Sequence, residues 1–222
     1  MSARPIRTYA ILPAAGRSTR IGRPKLLLPL ADGRLLIEHV LTAWRASRVG
    51  EIVVVMRRDD EALAASCRGL RTSIVQPEID PPDMKASIAA GLDYLRATYT
   101  PSDDDAWLVA PADMPLLPTT AIDAVIAAFS QQLVATASAA VRSTAKPTTA
   151  PSIIVPHFKG RRGHPVLFAW RLASEVARLA PDEGLNRLLE RYPSLPVEVA
   201  DEGILSDVDT PEDYARLREG AR

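Results

Sequence analysis

Residues 10–25 read Ala10-Ile-Leu-Pro-Ala-Ala-Gly-Arg-Ser-Thr-Arg-Ile-Gly-Arg-Pro-Lys25. Tyr9 to Leu12 form an apolar run that suits a buried strand. A loop follows, with small residues at Ala14, Ala15 and Gly16 and cations at Arg17, Arg20, Arg23 and Lys25. Small residues let a ligand approach the backbone, so main-chain N–H groups can face an anion. The first acidic residue of the chain is Asp32, so no carboxylate neighbours these cations in sequence. A cationic loop at the end of a strand is what a triphosphate requires. The same composition also fits a basic surface loop joining strand to helix. Two glycine-loop spacings are excluded. Gly16 and Gly22 are too far apart for a Walker loop, with Arg23 after the second glycine, and the dinucleotide pattern Gly-x-Gly-x-x-Gly is absent.

At 222 residues the chain is sized for a single well-cored domain. Its formal net charge is zero, so no global attraction to nucleic acid or anionic membrane is expected. One cysteine, Cys67, rules out an internal disulfide and is expected to be a small core or helix residue. No apolar run reaches membrane-spanning length and no signal-peptide core precedes the first strand. A cytoplasmic location is expected.

Along the chain, Leu35 to Ser47 reads as a helix with Leu36, Val40 and Trp44 on one face. Glu51 to Met56 is a near-continuous apolar run, the mark of a parallel strand covered on both sides. Asp59 or Asp60 caps a helix running to Cys67, Thr72 to Val75 is a short strand, and Asp83 caps a helix to about Ala97. Asp103 to Asp113 contains a strand that ends on a carboxylate, and its leading Asp103-Asp104-Asp105 reads as a solvated turn. A helix opens at Pro118-Thr119 with Thr119 as its cap. Leu133 to Pro151 reads as one weak strand and a mobile loop. Arg161 to Phe168 pairs a basic turn with a strand. Helices follow near Arg171–Leu179 and after Gly184, then a short strand at Val197–Val199. The last helix has Thr210 as cap, Pro211 in its first turn and Asp213 three residues after the cap. Strands alternating with helices at this spacing predict a doubly wound α/β sheet, with ligands beyond the carboxyl ends of its strands.

Chemistry concentrates at few points. Asp113, in Ala110-Pro-Ala-Asp-Met-Pro115, offers a hard oxygen at a strand end, suited to Mg²⁺ with substrate phosphates completing the octahedron. It equally suits a turn-forming aspartate. Asp207 and Asp209 form a second acidic point, where either could complete a metal site or simply complement the positive end of the helix that follows. His164 lies between Arg161-Arg162 and a strand, a position suited to contact with an anionic second substrate. No Ser-His-Asp or Cys-His arrangement supports covalent catalysis.

Leu12-Pro-Ala-Ala-Gly-Arg-Ser-Thr-Arg-Ile-Gly-Arg-Pro-Lys-Leu-Leu-Leu-Pro-Leu30 resembles the signature of the molybdopterin-type nucleotidyltransferases, in the molybdenum cofactor cytidylyltransferase branch. Ser87-Ile-Ala-Ala-Gly91, Asp113-Met-Pro115, Gly163-His-Pro-Val-Leu-Phe168 and Asp207-Val-Asp-Thr-Pro-Glu-Asp-Tyr214 match in order, so the resemblance covers nearly the whole chain. It implies one three-layer Rossmann-like domain of the glycosyltransferase-A type, over residues 1–222, with a mostly parallel sheet. It also implies Mg²⁺-dependent transfer of a nucleoside monophosphate from an NTP, CTP by this branch, to molybdopterin, with release of pyrophosphate. By position, Leu12, Ala14, Ala15 and Gly16 line the nucleotide, Arg17, Arg20 and Lys25 hold and stabilise the triphosphate, and Ser87 lies near the nucleotide. Asp113 is the principal metal ligand with Asp209 or Asp207 the second, and His164 faces the acceptor. A molybdoenzyme or accessory chaperone would receive the product. Ala112 stands where the family usually has Gly, and Gln76-Pro77 and Asp83-Met84-Lys85 depart from its pattern before Ser87. Transfer to a sugar phosphate or other small phosphorylated acceptor, and non-catalytic nucleotide binding, are the competing expectations.

Overall fold

The computed structural model describes residues 5–142 and 151–220. In chain order the elements are β1 (Thr8–Pro13), α1 (Leu36–Ala46), β2 (Glu51–Val55), α2 (Glu61–Cys67), β3 (Ser73–Val75), α3 (Met84–Tyr99), β4 (Ala106–Val109) and α4 (Thr119–Arg142). The second half adds β5 (Ile153–Phe158), β6 (Arg161–Arg162), β7 (Val166–Ala169), α5 (Ala173–Val176), α6 (Asn186–Arg191), β8 (Ser194–Glu198) and α7 (Pro211–Gly220). The strands form one sheet in the order β3-β2-β1-β4-β7-β5-β6, with β8 on β5. β1 pairs in parallel with β2 and β4, β2 with β3, and β5 with β8. β7 enters antiparallel between β4 and β5.

Strand alternation divides the core into two layers. Ala10 and Leu12 face a layer that includes α1, α2 and α4, whereas Tyr9 and Ile11 face one that includes α3, α5 and α6. The pattern that predicted this is plain in β2, where Ile52 and Val54 go one way and Val53 and Val55 the other. Trp107 and Phe168, opposite each other in register, stack at 4.3 Å between ring centroids. The fold is the expected three-layer α/β arrangement with a mostly parallel central sheet. No helix among the described residues is long and apolar enough to cross a membrane.

Several caps fall as expected. Asp60 accepts from the Leu63 N–H at 3.3 Å, and Asp83 from the Ala86 N–H at 2.7 Å. Thr210 and Asp213 exchange hydrogen bonds as a reciprocal box, Asp213 N–H donating to Thr210 Oγ1 at 3.1 Å and Thr210 N–H to Asp213 Oδ2 at 2.8 Å. Cys67 is buried and free, at the end of α2.

Four expectations are corrected. Thr119 does not cap α4: it is the first helical residue, and its hydroxyl donates to the Ala43 carbonyl at 3.0 Å, tying α4 to α1. Residues 133–142 continue α4 instead of forming a weak strand. Ile122, Val125, Ile126 and Phe129 bury one helical face, and the alanine-rich run after them has high helix propensity. The mobile-loop expectation for residues 143–150 lies outside the described residues. β5 was missed, because its proline and histidine masked an otherwise apolar run. Asp105 is buried at 1% exposure and not solvated. It accepts from the Ser102 N–H at 2.8 Å, from the Arg7 N–H at 2.9 Å and from the Arg7 guanidinium at 3.0 Å, joining the starts of β1 and β4.

Burial alone would raise the Asp105 pKa, but hydrogen bonds from Ser102 and Arg7 outweigh it and hold the carboxyl below its ordinary value. A carboxyl depressed by folding stabilises the native state above its unfolded pKa of about 4 and loses that contribution as pH falls through the folded value. Asp105→Ala leaves Arg7 without its carboxylate and is expected to cost about 3 kcal/mol, or about 6–12 °C in Tm, with a shallower acid-unfolding curve below about pH 4. Thermal and acid unfolding measured by circular dichroism check this. Gly91 gives a second test. A Cβ there would lie 2.8 Å from Cγ2 of the fully buried Ile11, so α3 rests directly on β1. Gly91→Val is expected to destabilise by about 1–3 kcal/mol through overpacking, read from the shift of the thermal midpoint.

Candidate active site

The strand order reverses between β1 and β4, which opens a crevice at their carboxyl ends. A cleft of about 520 Å³ lies there. Its walls come from the loop after β1 (Pro13 to Ser18, with Lys25), Arg57 after β2, Asp80 to Met84 and Ser87 at the start of α3, Pro111 to Asp113 after β4, and Asp209 before α7.

Lys25 is the centre of this arrangement. Its N–H donates to Ser18 Oγ at 3.2 Å, and the buried Leu26 anchors the turn that carries it. Its ammonium donates to Asp113 Oδ2 and, at 2.9 Å, to Asp209 Oδ1. Burial would lower the Lys25 pKa, but Asp113 and Asp209 more than reverse this and hold it above the ordinary value. Asp209 also receives Arg20 at 2.5 Å, and Arg17 meets Asp80 at 3.4 Å. Arg23 instead lies over the Tyr214 ring, 5.7 Å from its centroid. Three of the four cations that looked uncompensated in sequence therefore meet acids 63 residues or more away along the chain, because the fold brings strand ends together.

Asp113 has one oxygen on Lys25, while Oδ1 is buried with no hydrogen-bond partner among the described residues. Burial raises its pKa above the ordinary carboxylate value despite the pull of Lys25. The orphaned oxygen and the all-oxygen donor set fit a hard divalent cation. No group of three or more His, Cys, Asp or Glu side chains that could hold a metal ion exists among the described residues.

The expected site residues divide. Ala14, Ala15, Gly16, Arg17, Lys25, Ser87, Asp113 and Asp209 line the cleft. The N–H of Ala14 is used by the Val55 carbonyl at 2.7 Å, whereas those of Ala15, Gly16 and Arg17 take no partner among the described residues. Arg20 reaches the site through Asp209. Leu12 does not line the cleft, for its side chain is fully buried in the core below it. Asp207 is exposed and lies on a separate groove of about 420 Å³ beside Leu116 and Arg216, although its charge still acts on Asp113; Asp209 is the carboxylate that shares Lys25 with Asp113. His164 is outside the cleft lining, at the entry to β7, with its N–H on the Ile204 carbonyl at 2.9 Å. Its Nδ1 is buried without a partner among the described residues, and burial holds the imidazole below its ordinary pKa against the opposing effects of the Val109 carbonyl, Asp207 and Asp113. Ala112 packs with 2% exposure and donates to the Pro13 carbonyl at 3.3 Å, linking the two loops that carry the site.

Arg57 and Asp80 were missed. Each follows a parallel strand, and that position was the available signal. Arg57 donates to Asp59, Asp60 and the Gly16 carbonyl, the last at 3.4 Å, and so braces the loop.

Nicotine blue oxidoreductase of Paenarthrobacter nicotinovorans is 28% identical over 211 residues, which cover 93% of this chain and 94% of that one. The 2-C-methyl-D-erythritol 4-phosphate cytidylyltransferase of Streptomyces coelicolor is 37% identical over 136 residues, 57% of this chain. That match spans 47% of the enzyme, so the chain aligns with about half the length of this relative. Among solved structures, Rv0371c of Mycobacterium tuberculosis H37Rv superposes with a TM-score of 0.75 at 24% identity, covering 96% of this chain and 98% of that one. A manganese complex of Rv0371c superposes with a TM-score of 0.71 at 24% identity, with the same coverage. The profile of the family described as MobA-like NTP transferase domain matches residues 10–197, from the middle of β1 into β8. The chain belongs to the MobA-like NTP transferase domain family.

Proposed function

We propose that the protein transfers a nucleoside monophosphate from an NTP to the phosphate of a small acceptor and releases pyrophosphate. CTP is the proposed donor and molybdopterin, or the molybdenum cofactor, the proposed acceptor. One observation carries the reading: a single lysine of a phosphate-type loop spans two carboxylates at the carboxyl ends of parallel strands.

In this reaction an acceptor phosphate oxygen forms a bond to the α-phosphorus. The bond from the α-phosphorus to the bridging oxygen breaks, and its electron pair leaves on pyrophosphate. The acceptor is already an anion, so no side chain need act as nucleophile, and catalysis rests on positioning and charge. Lys25 supplies a buried positive charge where charge develops. The free N–H groups of Ala15, Gly16 and Arg17 offer donors to phosphate oxygens. Arg17 and Arg20, both exposed, are placed to exchange their carboxylates for the leaving end of the triphosphate. Ser87 closes the cleft at the first turn of α3. Asp113 and Asp209 would hold Mg²⁺, which when bound neutralises phosphate oxygens. The product would pass to a molybdoenzyme or accessory chaperone. The reduced, buried Cys67 accords with a cytoplasmic location.

A second reading follows from one relative that matches over 93% of the chain and is named as an oxidoreductase. The missing dinucleotide pattern and the lysine–carboxylate centre favour nucleotidyl transfer over it. The departure at Ala112 gives the non-catalytic alternative its footing.

The test is pyrophosphate release with Mg²⁺, each of four NTPs, and molybdopterin, methylerythritol phosphate or a sugar phosphate. Release with CTP and molybdopterin above all other pairs is expected. Equal release with every NTP removes the cytidylyl assignment and leaves the class. Release with another acceptor moves the assignment there. NTP binding without release under any condition favours a non-catalytic binder, and consumption of a reduced nicotinamide without pyrophosphate favours the oxidoreductase. Lys25→Ala and Asp113→Asn are each expected to lower kcat/KM by about 10²–10³-fold, in the range for removal of one electrostatic contact to a transition state. Steady-state kinetics on folded variants check this, and chelation of divalent metal is expected to abolish release.

A further inference from the structure

The hairpin joining β5 and β6 carries Lys159, Arg161 and Arg162, all exposed, and none forms an ion pair with another described residue. Lys159 lies over the Phe158 ring at 5.0 Å from its centroid. Elsewhere, cations such as Arg7, Arg20, Lys25 and Arg57 meet carboxylates. Charge left open in one short hairpin is worth locating.

Register locates it. β8 pairs with β5 from Ile153 to His157 and so takes one edge of β5. β7 and β6 therefore share the other edge, the one toward β4. Ile154 is opposite Leu167, which puts Val155 level with Val166, and Val166 is opposite Val109 of β4. Arg162 is paired with His157, two residues farther, or about 7 Å beyond that level. Asp113 lies four residues past Val109, the last residue of β4, so it and Arg162 both stand beyond the same end of the sheet. Cross-strand partners share a face. Val155 belongs to the layer of α3, so His157 and Arg162 face that layer, on whose side Ser87 and Met84 wall the cleft. Phe158 packs toward the opposite layer, and its partner Arg161 faces with it. Glu198, across β5 from Arg162, makes no ion pair with it.

The direction of attack gives this placement a use. The cationic loop after β1 is on one side of Asp113, and it is the loop expected to hold the leaving end of the triphosphate. In-line displacement requires the incoming oxygen opposite the leaving group. The acceptor must then arrive from the other side of Asp113, where β7 and β6 lie. Resting on the nucleotidyl-transfer reading, we propose that Arg162 binds the anionic phosphate of the acceptor, making the hairpin the acceptor subsite, with Lys159 adding to its positive field. A guanidinium fork suits a phosphomonoester in two-point contact.

The full chain with Mg²⁺, CTP and molybdopterin, or the acceptor the panel identifies, gives the test. Arg162→Gln is expected to raise the acceptor KM about 10–100-fold, the worth of a charge-assisted hydrogen bond, while the NTP KM changes less than about twofold. Arg162→Lys should recover part of the loss, and Arg161→Gln, on the other face, should leave the acceptor KM within about twofold. An unchanged acceptor KM in Arg162→Gln, or equal effects of Arg161→Gln and Arg162→Gln, overturns the subsite while leaving nucleotidyl transfer intact. Independently of turnover, glycerol 3-phosphate is titrated into the wild-type protein saturated with Mg²⁺ and a non-hydrolysable CTP analogue, and the Arg162 Nε–H resonance should shift. Absence of that shift overturns the subsite. Absence of pyrophosphate from the wild type with every pair overturns the catalytic reading instead, and the resonance then decides the hairpin alone.

Discussion

The contact of the Lys25 ammonium with Asp113 and Asp209 is the constraint that organises the functional end of the molecule. It fastens together the loop after β1, the end of β4 and the turn before α7, which also meet through the Arg20–Asp209 ion pair and through backbone hydrogen bonds such as Val208 N–H to the Asp113 carbonyl at 3.0 Å. Arg20 on Asp209 completes the charge balance of the cluster, yet Asp113 Oδ1 is left buried with no hydrogen-bond partner among the described residues.

The other end of the sheet also buries an acid, there without an orphaned oxygen. Asp105 is buried as deeply as the core, but every approach to it is a donor: Ser102, the Arg7 backbone and the Arg7 fork. One end uses its buried carboxylate to join strands, and the other leaves one oxygen of Asp113 without a partner among the described residues. Burial of an acid therefore does not by itself set the two ends apart.

What the residues disclosed in advance was largely what depends on local pattern. Apolar runs in β1 and β2, the caps Asp60, Asp83 and Thr210, and the strand-end position of Asp113 could be read because each is settled by neighbours in sequence. The resemblance of ordered motifs supplied the family. Errors fell where tertiary contacts override local chemistry. Thr119 has a cap's hydroxyl but spends it on α1, and the alanine-rich end of α4 lacks the periodic signal that marks a helix. Leu12 of the motif keeps its side chain fully buried in the core. The choice between Asp207 and Asp209 depended on which carboxylate turns toward a lysine 184 residues away, and no spacing rule contains that.

That separation has a consequence for how the chain comes into being. During synthesis the first loop leaves the ribosome long before residue 209 exists, so Lys25 and Arg20 must wait for one of their acids until nearly the whole domain has emerged. Asp113 arrives about halfway and can hold Lys25 in the meantime. The nascent domain therefore passes through a stage with β1 and β4 available and the site half built, more cationic at the loop than the finished protein. Completion of the centre coincides with docking of the last helix, which makes the chemistry of the cleft a late event in the life of each molecule.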